Sequence, residues 1–238
     1  MNISTMFRKW IFVAAALVAF NFACAQNEPE FEADFWGSFG YNMTDILHWS
    51  VSGTVVWHTN EFFDLRGGLR WRSPSMLSPE LVTTVKFPLG PGSLLLENMY
   101  VYQAWIGYNI QEFNTVLTVG YAMPRWRVQI GGFNKFYSNI TTPFKNKDYI
   151  FEPLNFAYDF EFWLRRMERK FNAGMRLCNV EDFVAERFYS PIVTLKFNYK
   201  VRDNRVVYFA IRNHQTGIFD LTKNFYERTF LLGAQVSW

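Results

Sequence analysis

The 238-residue sequence has few cysteines, little net charge and no long apolar segment after its first 25 residues. Its two cysteines are Cys24 and Cys178, so no disulfide framework supports the fold. The formal net charge is +3, and such a balance gives no indication of a nucleic-acid partner. After residue 25, no apolar run approaches the roughly 18 residues that a membrane helix needs. If the chain enters a membrane, helices do not carry it there.

The first residues have the composition of an export signal. Two basic residues precede an apolar run, and alanines flank Cys24 just before Gln26. We therefore predict a signal-peptide helix over residues 1–25 and a mature, single-domain chain over residues 26–238. A lipoprotein acylated at Cys24 is the alternative, but Asn21 stands where a large aliphatic residue is expected in that case.

The sequence is rich in aromatic residues, which make up 20% of it, and its apolar residues recur with a period of two. From Leu47 to Trp57, for example, the odd positions are apolar or glycine and most even positions are polar. Such alternation predicts strands with two different faces. About twelve strands are predicted, at 35–43, 47–58, 63–72, 80–87, 94–110, 114–123, 126–133, 154–165, 171–179, 191–202, 205–214 and 229–238. Ten is the alternative if the short segments 80–87 and 126–133 do not cross a membrane.

The connections between these strands differ in length. From residue 123 onward, short turns alternate with long loops, which is typical of outer-membrane barrels. The longest loop, residues 133–153, could fold inward as a constriction or remain outside as an exposed surface. No linker divides the mature chain, so we predict one all-β, transmembrane, antiparallel up-and-down barrel. A sheet in lipid must close, because an open edge leaves backbone groups without hydrogen bonds.

The aromatic residues indicate which face of the sheet meets lipid. They concentrate near predicted strand ends, where the interfacial girdles of membrane barrels lie: Tyr41, Trp57, Trp71, Tyr108, Tyr199 and Trp238. A soluble barrel with an apolar interior would show the same alternation. Soluble barrels of this kind have eight strands, however, so twelve would leave an oversized apolar cavity. We therefore expect the apolar face outside, in lipid, and the polar face inside.

The pattern resembles the small, porin-like β-barrel proteins of the bacterial outer membrane. The last strand, with its alternating Phe230, Leu232, Ala234, Val236 and Trp238, resembles the C-terminal signal that the barrel-assembly machinery recognises. The resemblance implies export to the outer membrane, with membrane lipid and the assembly machinery as partners. It does not identify a subfamily.

Basic residues on the polar face are the candidate selectivity residues of the interior: Arg66, Arg70, Arg72, Arg127, Arg165, Arg176, Lys196, Lys200 and Arg212. We count more cations than anions on this face. Because rings of Arg or Lys select anions, the sequence predicts a narrow porin for passive diffusion of small, anionic solutes. The alternatives are an interior plugged by ion pairs, and a non-conducting barrel whose surface binds partners or serves a structural role.

A lipid hydrolase is the enzymatic alternative. His48 and Ser50 lie two apart on one predicted strand face, close enough for an imidazole to activate a hydroxyl. No orienting acid is identifiable beside them. The three histidines lack metal-ligand spacing, and no nucleotide-binding loop is present. We therefore predict a protein that is not an enzyme and holds no cofactor or metal.

Overall fold

The structure is a computed structural model, and it describes residues 30–42, 47–73, 75–106, 110–139, 149–164, 170–215 and 225–238. The predicted signal peptide, Tyr108 and Arg165 lie outside the described residues. No helix among the described residues is long and apolar enough to cross a membrane.

Fourteen strands account for most of the described chain. They are β1 Glu30–Asn42, β2 Leu47–Asn60, β3 Phe63–Arg72, β4 Met76–Leu89, β5 Gly92–Trp105, β6 Ile110–Met123, β7 Trp126–Asn139, β8 Tyr149–Trp163, β9 Phe171–Cys178, β10 Val180–Glu181, β11 Val184–Ala185, β12 Ile192–Arg202, β13 Arg205–Gln215 and β14 Phe225–Ser237.

Twelve of these strands form one closed antiparallel barrel in chain order, and β10 pairs with β11 in a separate two-stranded sheet. The barrel closes where β14 pairs with β1, with Phe35 opposite Ala234. The prediction of a closed barrel of twelve strands is therefore confirmed. The two segments predicted as short, 80–87 and 126–133, belong to β4 and β7, which have 14 residues each and are long enough to cross a bilayer.

The two faces of the barrel are sorted as the period of two predicts. In β14, Leu231 is 3% exposed and points inward, whereas its neighbour Leu232 is 69% exposed. The buried side chains include many polar and charged residues, among them Arg70 and Glu80, while large apolar side chains such as Phe39 are exposed. This inversion of the usual soluble pattern fits an exterior in lipid and a polar interior.

Aromatic residues mark the barrel end that holds the starts of β1 and β13. Phe31 stacks between Trp57 and Trp238, with ring centroids 6.0 Å apart on each side. The main chains of Phe31 and Trp238 also exchange two hydrogen bonds of 2.9 Å. Trp71 and Tyr41 lie toward the other end. Rings at both ends fit the interfacial girdles of a membrane barrel.

The connection between β7 and β8 is shorter than predicted. The strands extend to Asn139 and back from Tyr149, so the predicted loop 133–153 is largely strand, and its residues 140–148 lie outside the described part. The alternation is interrupted by a register shift after Phe133 and by Leu154, whose φ of 54° is left-handed. Such an irregularity moves side chains to the other face, which explains why the period of two did not reveal these strand ends.

Candidate functional site: a charged interior crossed by a hairpin

The connection from β9 to β12 folds into the barrel. Residues 179–190, here called the lumen hairpin, contain the short strands β10 and β11 with Asp182 and Phe183 between them. Phe183 is fully buried and has a left-handed φ of 62°. Its backbone N–H donates to Glu80 Oε2 at 2.9 Å. Its carbonyl oxygen accepts from Arg70 Nη2 at 3.1 Å and from Gln103 Nε2 at 2.6 Å. Three wall strands therefore satisfy the polar groups of the hairpin tip.

Apolar contacts hold the hairpin against both sides of the barrel. Val180 and Ala185 belong to a buried cluster with side chains of β4 to β8: Val82, Met99, Val101, Val116, Phe133 and Ala157. The ring of Phe183 belongs to a second cluster on the opposite wall, with Trp36, Tyr208, Ala210 and Leu231. The hairpin thus spans the interior from one wall to the other.

Ion pairs connect the hairpin to β3 a second time and to two further strands, β9 and β13. Asp182 Oδ1 lies 3.0 Å from Arg66 Nη1. Glu181 lies 2.7 Å from Arg212 Nε and 3.7 Å from Arg176 Nη1, and its Oε1 also accepts a 3.3 Å hydrogen bond from Thr194. The two adjacent carboxylates therefore face guanidinium groups from β3, β9 and β13.

The surroundings of Asp182 favour its ionised form. Burial alone would raise the pKa of this carboxyl, but the charges of Arg66 and Arg176 outweigh it and hold the pKa below its ordinary value. Because the pKa is lowered, the ion pairs of Asp182 support hairpin docking above the ordinary carboxyl pKa. This support is lost only as the pH falls through the lowered value.

The structure places most of the predicted selectivity residues in this interior. Arg66, Arg70, Arg176 and Arg212 contact the hairpin directly. Arg72 pairs with Glu227 at 2.6 Å, away from the hairpin. Arg127 lies 2.8 Å from Asp159 and 3.1 Å from Glu161. Lys196 lines the interior, whereas Lys200 pairs with Asp203 at a turn. Arg165 lies outside the described residues, and the selectivity role of all these residues stays a prediction.

The predicted excess of inward cations was wrong, because acidic partners were overlooked. Glu80, Glu112 and Glu227 face inward and pair with Arg66, Lys135 and Arg72, and the hairpin adds Glu181 and Asp182. The even positions of β4 point inward, so the period of two would have placed Glu80 inward, two residues before the inward Val82. Nothing local would have revealed the hairpin pairs, since their partners are far away in sequence.

Two inward cations nevertheless have no carboxylate partner within 4 Å among the described residues. Arg70 is 4% exposed, binds the Phe183 carbonyl and lies over its ring at 5.3 Å from the centroid. Lys196 Nζ lies 3.8 Å from the ring centroid of Tyr208. Aromatic rings attract such cations without forming an ion pair, and Lys196 also interacts at longer range with the carboxylates of Asp34 and Asp182.

Small spaces remain on both sides of the hairpin. The larger has a volume of about 90 Å³, and charged groups of both signs line it: Arg176, Lys196 and Arg212, and the carboxylates of Asp34, Glu161, Glu181 and Asp182. The smaller, about 10 Å³, lies beside Arg66, Glu97 and Asp159. Both spaces adjoin residues of the hairpin, and the wider one lies among three cations and four carboxylates.

The His48 and Ser50 pair does not have the geometry of a hydrolase. The Ser50 hydroxyl is hydrogen-bonded to Ser38 at 2.7 Å, and His48 Nε2 lies 3.1 Å from Glu227. An acid that was not identified from the sequence thus lies beside His48. Both side chains are buried inside the barrel, on the face away from lipid, so the arrangement does not support lipid hydrolysis.

The predicted assembly residues lie on the outer face of β14 and at its end. Leu232 and Trp238 are exposed, Phe230 stacks on Phe39 with centroids 5.4 Å apart, and Val236 pairs with Ala33. Their recognition by the assembly machinery stays a prediction.

Comparison with known proteins shows which solved structures share this fold. No protein-family model and no curated protein sequence matches the chain. Among solved structures, the KdgM porin in complex with disordered oligogalacturonate matches with a TM-score of 0.55 and 12% identity, covering 87% of this chain and 99% of that one. The NanC porin matches with a TM-score of 0.54 and 8% identity, covering 86% and 98%. The fold is that of an outer-membrane porin. An outer membrane channel from Pseudomonas putida F1 also matches, with a TM-score of 0.50, 11% identity, and coverage of 88% and 95%.

The predicted outer-membrane location agrees with two observations. The porin-like barrel shares its fold with outer-membrane proteins, and its own exterior carries large apolar side chains along most strands. Water would make such a surface prone to association, whereas hydrocarbon accommodates it.

Proposed function

We propose that the protein is a narrow outer-membrane channel for passive diffusion of small solutes, with a preference for anions. One observation carries the proposal: a space of about 90 Å³ beside the lumen hairpin is lined by the cations Arg176, Lys196 and Arg212, together with the carboxylates of Asp34, Glu161, Glu181 and Asp182. Carboxylates of the hairpin already occupy the two arginines, whereas Lys196 has no such partner among the described residues. Its charge remains available to a passing anion.

The structural matches also favour a channel that passes anions. The KdgM porin was solved with oligogalacturonate, which carries carboxylates, and the other matches reported above are a porin and a channel. At these low identities the likeness concerns the fold, and a fold does not determine the solute. The preference for anions therefore rests on Lys196, which lines the larger space and has no ion-pair partner within 4 Å among the described residues.

Planar-bilayer recording of the refolded mature chain tests the proposal. We expect small, discrete conductance steps in KCl, and a reversal potential in a KCl gradient that shows chloride to be more permeant than potassium. A preference for potassium would overturn the anion selectivity. Complete absence of conductance would overturn the channel itself.

A second candidate is a non-conducting barrel that binds a partner or has a structural role at the surface. It is favoured by the hairpin contacts with both walls and by the very small space on its other side. Small barrels commonly fill their interiors with side chains. This candidate predicts no conductance even after the hairpin charges are removed by substitution.

A further inference from the structure

The guanidinium groups around the lumen hairpin converge from three separate strands. Arg66 lies on β3, Arg176 on β9 and Arg212 on β13, and each contacts a carboxylate of either Glu181 or Asp182 at 2.7 to 3.7 Å. Planar guanidinium groups match the geometry of carboxylate oxygens. The hairpin thus presents two neighbouring anionic groups to a preassembled set of cations.

These arginines do not depend equally on the hairpin. Arg66 also pairs with Glu80, and Arg176 also pairs with Asp159, so each keeps a wall partner if the hairpin moves. Arg212 is 6% exposed, and Glu181 provides its one ion pair among the described residues. Without the hairpin, its charge would be buried and uncompensated, which is costly. The barrel wall therefore favours an anion at this position.

The space needed for an incoming anion adjoins the cluster. The cavity of about 90 Å³ is lined by Arg176, Glu181, Asp182, Arg212 and Lys196. A solute there would meet Arg176 and Arg212, two of the three arginines that hold the hairpin, together with Lys196, and the carboxylates of Asp34 and Glu161 also line the space. Glu181 and Asp182 thus occupy the positions that a solute with two anionic groups would take.

We propose that Arg66, Arg176 and Arg212 form a binding site for small dianions, which Glu181 and Asp182 fill as an internal ligand when no solute is present. The inference rests on the proposed passage of anions and names their class as compounds with two negative groups. A dianion competes with both hairpin carboxylates at once, whereas a monoanion replaces only one. Binding of the solute and release of the hairpin are therefore coupled.

Chemical labelling of the hairpin tests this competition without requiring conductance. In a Cys178→Ala background, Ala185→Cys places a thiol on the hairpin at a position that is 2% exposed. We expect slow maleimide labelling in buffer, and faster labelling in the Glu181→Gln and Asp182→Asn double variant. Succinate should accelerate labelling more than acetate or NaCl at the same ionic strength. Val184→Cys provides a second reporter if the first variant does not fold.

The matched control is the same substitution at an arginine that does not contact the hairpin. Arg212→Gln should abolish the effect of succinate, whereas Arg72→Gln should retain it because Arg72 pairs with Glu227 instead of the hairpin. Equal labelling with and without succinate would overturn the proposal, and equal acceleration by succinate and NaCl would reduce the effect to ionic screening and overturn the dianion site. A channel that conducts while labelling stays unchanged would leave the proposed function intact and remove only this inference.

Discussion

At the scale of single residues, Lys196 is the side chain on which the predicted selectivity depends most. A unit charge about 6 Å from a passing ion in water changes its energy by about 0.7 kcal/mol, or about threefold in preference. We therefore expect Lys196→Gln to lower the chloride-to-potassium permeability ratio by about that factor, as measured from reversal potentials in a KCl gradient. Lys200→Gln is the matched control, because Lys200 pairs with Asp203 at a turn and should leave the ratio unchanged. An equal effect of both substitutions would contradict a specific role for Lys196.

Two adjacent glycines of β3 allow the packing of the hairpin tip to be measured. A Cβ added at Gly68 would lie 2.7 Å from Thr54 Cγ2 and 2.9 Å from the Phe183 ring, whereas one at Gly67 would meet nothing within 4 Å. We expect Gly68→Ala to lower the free energy of unfolding by about 1–3 kcal/mol, as overpacking does. Gly67→Ala should have little effect. Urea titration of the refolded barrel makes the comparison, and equal stability of the two variants would argue against a hairpin packed on β3.

At the scale of elements, the strands were predictable from the sequence because each carries its own evidence. The alternation from Leu47 to Trp57 is visible without knowledge of any partner strand, and it becomes β2. The lumen hairpin carries no such evidence, because β10 and β11 have two residues each. Its contacts are also distant in sequence: Phe183 meets Glu80 across 103 positions and Arg70 across 113. The cations of the candidate site could therefore be predicted, but their carboxylate partners on the hairpin could not.

The terminal strand offers a test of recognition by the assembly machinery. Trp57 and Trp238 stack on opposite sides of Phe31 at the same centroid distance, so replacing either by Ala removes a similar ring contact. If Trp238 is also part of an assembly signal, Trp238→Ala should reduce the amount of folded barrel in cells more than Trp57→Ala does. Both variants should refold equally well in detergent. Heat-modifiable gel mobility measures both quantities, and equal losses in cells would assign Trp238 a packing role alone.

At the scale of the whole molecule, the polar interior and the apolar exterior form one arrangement. Many charged residues inside form ion pairs across the interior, as Arg212 and Glu181 do. Outside, apolar side chains such as Leu117 have no protein layer over them. A soluble protein would bury the second set and expose the first. The arrangement is stable only if hydrocarbon surrounds the middle of the barrel. The energetic cost of an outward charged residue should therefore depend on its depth in the bilayer.

Arginine substitutions at two depths make that measurement. Leu117 lies near the middle of β6 and is exposed, and Leu89 is the exposed last residue of β4. In a bilayer, an outward arginine costs about 2–4 kcal/mol at the midplane and about 0–1 kcal/mol near the interface. We therefore expect Leu117→Arg to destabilise the barrel in lipid vesicles by the larger amount and Leu89→Arg by the smaller, as measured by urea unfolding. Equal and small costs at both positions would mean that water, rather than lipid, surrounds the barrel, and the membrane location would then be wrong.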